Sequence, residues 1–204
     1  MTIRLHRGDL PDLSAYTGAV AIDTEAMGLD VNRDRLCVVQ LSPGDGSADV
    51  VQIAAGQPHA RNIERLLADP GKLKVFHFAR FDIGLLAKAF GVMAGPVYCT
   101  KIASRLARTY TDKHGLKDLA REVLGVDLSK QQQLSDWGAD SLSDAQVSYA
   151  ATDVLYLHAL REKLDAMLAR EGRADLAAAC FRFLPDRARL DLAGWAADDI
   201  FAHS

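Results

Sequence analysis

Asp23 and Glu25 stand two residues apart at the end of the apolar run Val20-Ala-Ile22. That run is β-prone, and on a strand alternate side chains share a face, so both carboxylates point the same way, about 6.5–7 Å apart along the chain. Desolvating two like charges at the end of a buried strand is costly without compensation. A divalent cation compensates both, and an all-carboxylate donor set suits Mg²⁺ or Mn²⁺. Alone, Asp-x-Glu is a common pattern and reads as a strand end with two solvated acids, so further ligands are required.

Two other places in the chain supply them. Asp82 begins an amphipathic stretch after the strand-like Lys74-Val-Phe-His-Phe78. A lone Asp in a first helical turn has a structural role by default, through the helix dipole, yet strand-to-helix junctions also gather catalytic groups. Tyr149 and Asp153 are four residues apart and share one helical face, with the small Ala150 and Ala151 permitting close approach to a sheet. The plainer reading of that pair is a half-buried Tyr and a solvated Asp. Together, Asp23, Glu25, Asp82 and Asp153 with Tyr149 form a coherent two-metal site for phosphodiester hydrolysis. No Ser-His-Asp or Cys-His arrangement competes, and no Gly-rich phosphate loop precedes a helix.

The elements that must position these groups follow from periodicity and turn residues. Residues 1–19 read as a short leading strand or loop. Val20–Ile22, Leu36–Leu41 and Asp49–Ile53 read as three strands joined by short turns, an antiparallel meander. Asn62–Ala68 is a short helix, Lys74–Phe78 a strand, and Asp82–Phe90 a helix stopped by Gly91. Val97–Cys99 is a strand feeding a helix over Thr100–Arg108. Only helices follow: Leu116–Leu124, one long helix over Ser143–Glu171, and a last one over Ala174–Leu184. The fold class is therefore α/β, a mixed sheet flanked by helices with a helical C-terminal part. One domain over residues 1–204 is expected, with a catalytic core at about 18–170 and a helical tail at about 171–204.

Composition is ordinary for a globular protein, with 49% apolar and 25% charged residues. No apolar run reaches membrane-spanning length, and Met1-Thr-Ile-Arg-Leu-His does not read as a signal peptide. Cys37, Cys99 and Cys180 are scattered in apolar surroundings, as expected of reduced core thiols in the cytoplasm. A net charge of −3 argues against coating long nucleic acid through a global field, so any such substrate is short or bound in a small groove.

These motifs resemble those of the DEDDy 3′→5′ exonucleases of the ribonuclease D group, which have an RNase H-like fold. The first is Asp23-Thr-Glu25-Ala-Met-Gly28-Leu29, the second His77-Phe-Ala-Arg-Phe-Asp82-Ile-Gly-Leu-Leu86, and the third Tyr149-Ala-Ala-Thr-Asp153. Gly125-Val-Asp-Leu-Ser-Lys130 and Leu134-Ser-Asp-Trp137 are similar to the loop before the third motif. Two positions depart from the group: no Arg follows Trp137, and Cys99 stands where an Asp is usual. The chain also ends too soon to carry the helical nucleic-acid-binding modules of ribonuclease D proper. In this and in its ends, Gly8-Asp-Leu-Pro, Asp191-Leu-Ala-Gly-Trp195 and Asp199-Ile-Phe-Ala-His-Ser, it resembles the short bacterial nano-RNase C branch more closely.

The resemblance implies hydrolysis of very short single-stranded RNA, down to dinucleotides and with DNA also plausible, by a ring-shaped homo-oligomer, an octamer. It implies one ion on Asp23, Glu25 and Asp153, a second on Asp23 and Asp82, and Tyr149 orienting the attacking water. Leu29 would wedge between the last two bases. Further candidate substrate-binding residues are Thr24, Met27, His77, Arg80, Lys101, Arg105 and Gln131, His77 serving equally as a structural group at a strand end. Lys101, Arg105 and Arg108 are spaced for one phosphate-facing side within a basic region that also holds Lys113, His114, Lys117 and Lys130. The apolar tail from Phe181 either covers its own core or contacts another subunit. The rival readings are an exonuclease trimming longer RNA or DNA, and a non-catalytic nucleic-acid-binding module of the same fold.

Overall fold

The computed structural model describes residues 1–129 and 131–203. Six strands form one mixed sheet: β1 (Thr2–Arg7), β2 (Val20–Ala26), β3 (Leu36–Ser42), β4 (Ser47–Gln52), β5 (Lys74–Phe76) and β6 (Val97–Cys99). Their spatial order is β1-β4-β3-β2-β5-β6. The expected meander is present, with β2 antiparallel to β3 and β3 antiparallel to β4. β5 then joins β2 in parallel, and β6 joins β5 in parallel. The leading segment is a strand after all, since β1 runs parallel to β4 at the sheet edge.

Every residue of β3 is buried, which its unbroken apolar run requires of a strand covered on both faces. One face packs against α1 (Arg61–Ala68), α2 (Ala79–Phe90) and α7 (Ala174–Leu190) through Ile63, Leu67, Ile83, Leu86 and Leu184. The other packs against α3 (Thr100–Ala107), α4 (Leu116–Leu124), α5 (Asp144–Leu155) and α6 (Leu157–Arg170) through Ala103, Leu119, Ala151 and Leu160.

Three helix expectations need correction. The helix expected over Asp82–Phe90 begins at Ala79, because the strand before it ends at Phe76 and not at Phe78. The single helix over residues 143–171 is two, divided at Tyr156, where φ of −103° and ψ of −5° depart from regular helix values. The division lets Ala150, Ala151 and Val154 lie on the sheet while Leu157, Leu160, Leu164 and Leu168 follow a separate buried stripe. The last helix does not stop at Leu184 but runs through Pro185 to Leu190. An internal proline costs about 3 kcal/mol. Burial of Leu184 and Ala188 on either side offsets that cost.

Candidate active site

The parallel pair β2 and β5 ends at one edge of the sheet, and β2 is the strand at which pairing changes from antiparallel to parallel. Open α/β sheets place their ligand sites at such a reversal, beyond the carboxyl ends of the strands. Here β2 delivers Asp23 and Glu25 on one face, as period two requires. Thr24 points the opposite way, and its Oγ1 donates to Asp82 Oδ1 at 2.6 Å.

Asp82 is in the first turn of α2, and α2 begins abruptly because Phe78 adopts a left-handed conformation (φ 67°, ψ 41°). A left-handed bulky residue is uncommon and stores strain of the kind found at functional sites. α5 begins at a reciprocal cap, with Gln146 N donating to Ser143 Oγ and Ser143 N donating to Gln146 Oε1. That fixed start sets where Tyr149 and Asp153 fall. Gln146 Nε2 also donates to Asp136 O at 3.1 Å, tying the preceding loop to the helix. The Trp137 ring in that loop lies 6.0 Å from the Tyr149 ring.

Carboxylate oxygens of Asp23, Glu25 and Asp153 come within 4.8 Å of one another. Among the described residues, none of these three acids nor Asp82 takes part in an ion pair. Burial, and then the charges of Asp82, Asp153 and Glu25, push the Asp23 carboxyl far above its usual range. Burial and the charges of Asp153 and Asp82 lift Glu25 to about 9. Burial raises Asp82 to about 7 against the Thr24 hydrogen bond, and raises Asp153 to about 7. The Tyr149 phenol is likewise raised, by burial and then by Asp153 and Glu25. The donor set is all hard oxygen, without Cys or His, and fits Mg²⁺ or Mn²⁺.

These groups line a cleft of about 520 Å³. Its walls also hold exposed apolar side chains: Leu29 at 90% exposure, Leu134 at 99%, Met27 and Phe78. Thr24, His77 and Lys101, all singled out in the sequence, line it too. Lys101 Nζ lies 4.3 Å from the Phe78 ring centre. His77 Nδ1 is 2.8 Å from Thr100 Oγ1, and burial and then the Lys101 charge push the imidazole down to about 3, so it is neutral.

Lys117 of the basic region also lines the cleft, whereas Arg80, Arg105 and Arg108 do not. Arg80 makes two hydrogen bonds to Asp191, at 2.8 and 2.6 Å, and is committed to the C-terminal segment. Arg105 and Gln131 do not line the cleft, whereas Gln133 does. Arg108 corrects the phosphate-facing expectation. It is wholly buried, donating to Ser104 Oγ and Lys113 O and pairing with Glu122, because its guanidinium joins α3 to α4. Lys130 lies outside the described residues. Sequence reasoning missed Phe78 and Phe81 as cleft residues. Phe78 was findable only as a bulky residue at a sharp strand-to-helix turn, where apolar character alone reads as core.

Residues 10–169 match the 3′-5′ exonuclease family. The chain belongs to that family. It is a 3′-5′ exonuclease of the ribonuclease D and NrnC type, as the sequence motifs implied. It is 37% identical over 166 residues to ribonuclease D of Acidiphilium cryptum, covering 81% of this chain and 42% of that relative. The chain thus spans under half the length of the curated ribonuclease D relatives it matches. Brucella melitensis NrnC with bound Mg²⁺ is 60% identical, with a TM-score of 0.97 and full coverage of both chains. The same protein bound to pGG is 61% identical, again with full coverage and a TM-score of 0.97. Escherichia coli RNase D is 26% identical, with a TM-score of 0.73 over 84% of this chain and 45% of its own.

Proposed function

We propose that this exonuclease clears very short RNA, down to dinucleotides, by releasing nucleoside 5′-monophosphates from the 3′ end. The carrying observation is the set of three carboxylates within 4.8 Å of one another, with no counter-charge of their own, at the floor of a cleft walled by exposed Leu29, Leu134 and Phe78. A cleft of that size suits a small ligand more than an extended polymer. Complexes of a relative matching the whole chain, one with Mg²⁺ and one with pGG, support the same reading.

Asp23, Glu25 and Asp153 would hold one divalent ion, and Asp23 and Asp82 a second, either Mg²⁺ or Mn²⁺. Bound ions of this kind ease deprotonation of water and stabilise charge on the leaving 3′ oxygen. The protein's own groups do the rest. Thr24 holds the Asp82 carboxylate through its hydroxyl. Tyr149, kept protonated by its raised pKa, orients the attacking water as a hydrogen-bond partner and does not act as a base. Leu29 separates the last two bases, and Lys101, beside the Phe78 ring, meets a phosphate.

Residues 1–204 act as one exonuclease unit in this reading, in the cytoplasm and as a homo-oligomeric ring. Phe183, Trp195, Ile200 and Phe201 remain exposed on the C-terminal segment and suit a subunit contact. Among the described residues no helix is long and apolar enough to cross a membrane.

The test is a time course on 5′-labelled RNAs of two, seven and twenty nucleotides with Mn²⁺. Fast loss of the dinucleotide with slow shortening of the twenty-mer is expected. Rapid laddering of the twenty-mer with dinucleotides left behind would assign the enzyme to trimming of longer chains.

A further inference from the structure

Gln40 is wholly buried in the middle of β3, and neither its Oε1 nor its Nε2 has a hydrogen-bond partner. A primary amide offers two donors and one acceptor with two lone pairs. Burying such a group unsatisfied costs about 1–3 kcal/mol. An apolar residue of the same size would avoid that cost at the centre of an otherwise apolar strand, so the amide calls for a partner that the polypeptide alone does not provide.

The sheet register shows where that partner lies. Gln40 is the direct cross-strand partner of Asp23. Directly opposed residues in an antiparallel pair share a face with side chains close together. The same face carries Glu25, opposite Val38, and is covered by α5, which brings Asp153. Other polar groups on β3 are engaged: Ser42 Oγ donates to Ser47 O and Cys37 Sγ to Arg35 O. Among the described residues of β3, Gln40 alone can serve the acid cluster.

Resting on the reading of Asp23 as a metal ligand, we propose that Gln40 is a positioning residue for that carboxylate. Its Nε2, which has no direct partner on the chain, would donate through one ordered water to a carboxylate oxygen of Asp23. A carboxylate has about four acceptor sites, and a ligand is held in place when the ones not facing the metal meet donors. Gln40 would therefore orient the Asp23 carboxylate without touching substrate.

The substitutions Gln40→Met and Gln40→Leu test this, with wild type and Asp23→Ala measured alongside. Because an unpartnered amide is replaced by apolar atoms, the Tm in EDTA is expected to stay level or rise. Mn²⁺ affinity by isothermal titration calorimetry should fall about 10–100-fold, and kcat by a similar factor, with the dinucleotide KM unchanged. Opposite movements of stability and metal affinity are the signature. Wild-type Mn²⁺ affinity in the Gln40 variants, with binding lost in Asp23→Ala, would overturn the role of Gln40 alone. A Tm loss of several degrees in both Gln40 variants would place the amide in the fold and overturn it equally. Wild-type Mn²⁺ binding by Asp23→Ala would instead bring down the metal-site reading itself.

Discussion

Two parts of one sheet bury carboxylates in opposite ways. On β4, Asp49 accepts from Arg4 Nε and Nη2 at 2.6 and 2.9 Å and from Tyr16 Oη at 2.6 Å, with His6 Nε2 at 2.8 Å. Burial alone would push that carboxyl up, but the bonds from Arg4, Tyr16 and His6 overcome it and hold it at about 2. On β2, Asp23 and Glu25, with Asp153 and Asp82, receive no such cation and are all raised. The chemistry of the side chain is the same, and the difference is who neutralises it. Asp49 is neutralised by the chain and belongs to the fold. The β2 cluster has no counter-charge of its own, which makes it the candidate site in the proposed reading.

Breaking the β2 cluster should harm catalysis and spare the fold. Asp153→Ala is expected to lower kcat on the order of a thousandfold, about 4 kcal/mol of barrier. In EDTA its Tm should equal or exceed wild type, because a buried, repelled carboxylate has been removed. An active and well-folded Asp153→Ala enzyme would remove Asp153 from the site.

Breaking the Asp49 cluster should do the reverse. Asp49→Asn is expected to cost about 2–3 kcal/mol, roughly 5–10 °C in Tm, while kcat per folded molecule is unchanged. The pH profile sharpens the contrast. A carboxyl with a lowered folded pKa contributes stability above its unfolded value near 4 and loses it as pH falls toward about 2. Wild type should therefore lose stability more steeply than Asp49→Asn over that acid range, and superimposable acid melts would contradict the assignment.

The smallest effect belongs to the cleft wall. Leu29 is 90% exposed, so Leu29→Ala should leave Tm unaltered. On the proposed wedge role, the same substitution should raise the dinucleotide KM about tenfold. A change in kcat at constant KM would argue against a wedge.

The candidate site was legible because its spacing rules are short-range. Period two on a strand fixes Asp23 with Glu25, and four residues on a helix fix Tyr149 with Asp153. The antiparallel strands were equally readable from their turns, since Pro43-Gly-Asp-Gly46 leaves little choice of connection. What the sequence hid were choices made by tertiary packing. The break at Tyr156 has no Gly or Pro to announce it, and follows from two buried stripes that one straight helix cannot serve. The last helix runs past its expected end at Leu184 because burial offsets the local cost of Pro185, and that burial is not visible in the sequence. Arg108 had the spacing of a surface cation, and only the approach of α4 shows it to be internal.

The central claim is that the β2 cluster takes its counter-charge from a divalent ion and works only then. The direct measurement strips wild-type protein with EDTA, titrates Mn²⁺, and records Tm and dinucleotide hydrolysis on the same samples. Both should rise over one concentration range, with Tm gaining the equivalent of about 2.7 kcal/mol at a hundred times Kd. Full hydrolysis in EDTA, or Mn²⁺ leaving both Tm and hydrolysis unmoved, would contradict the account.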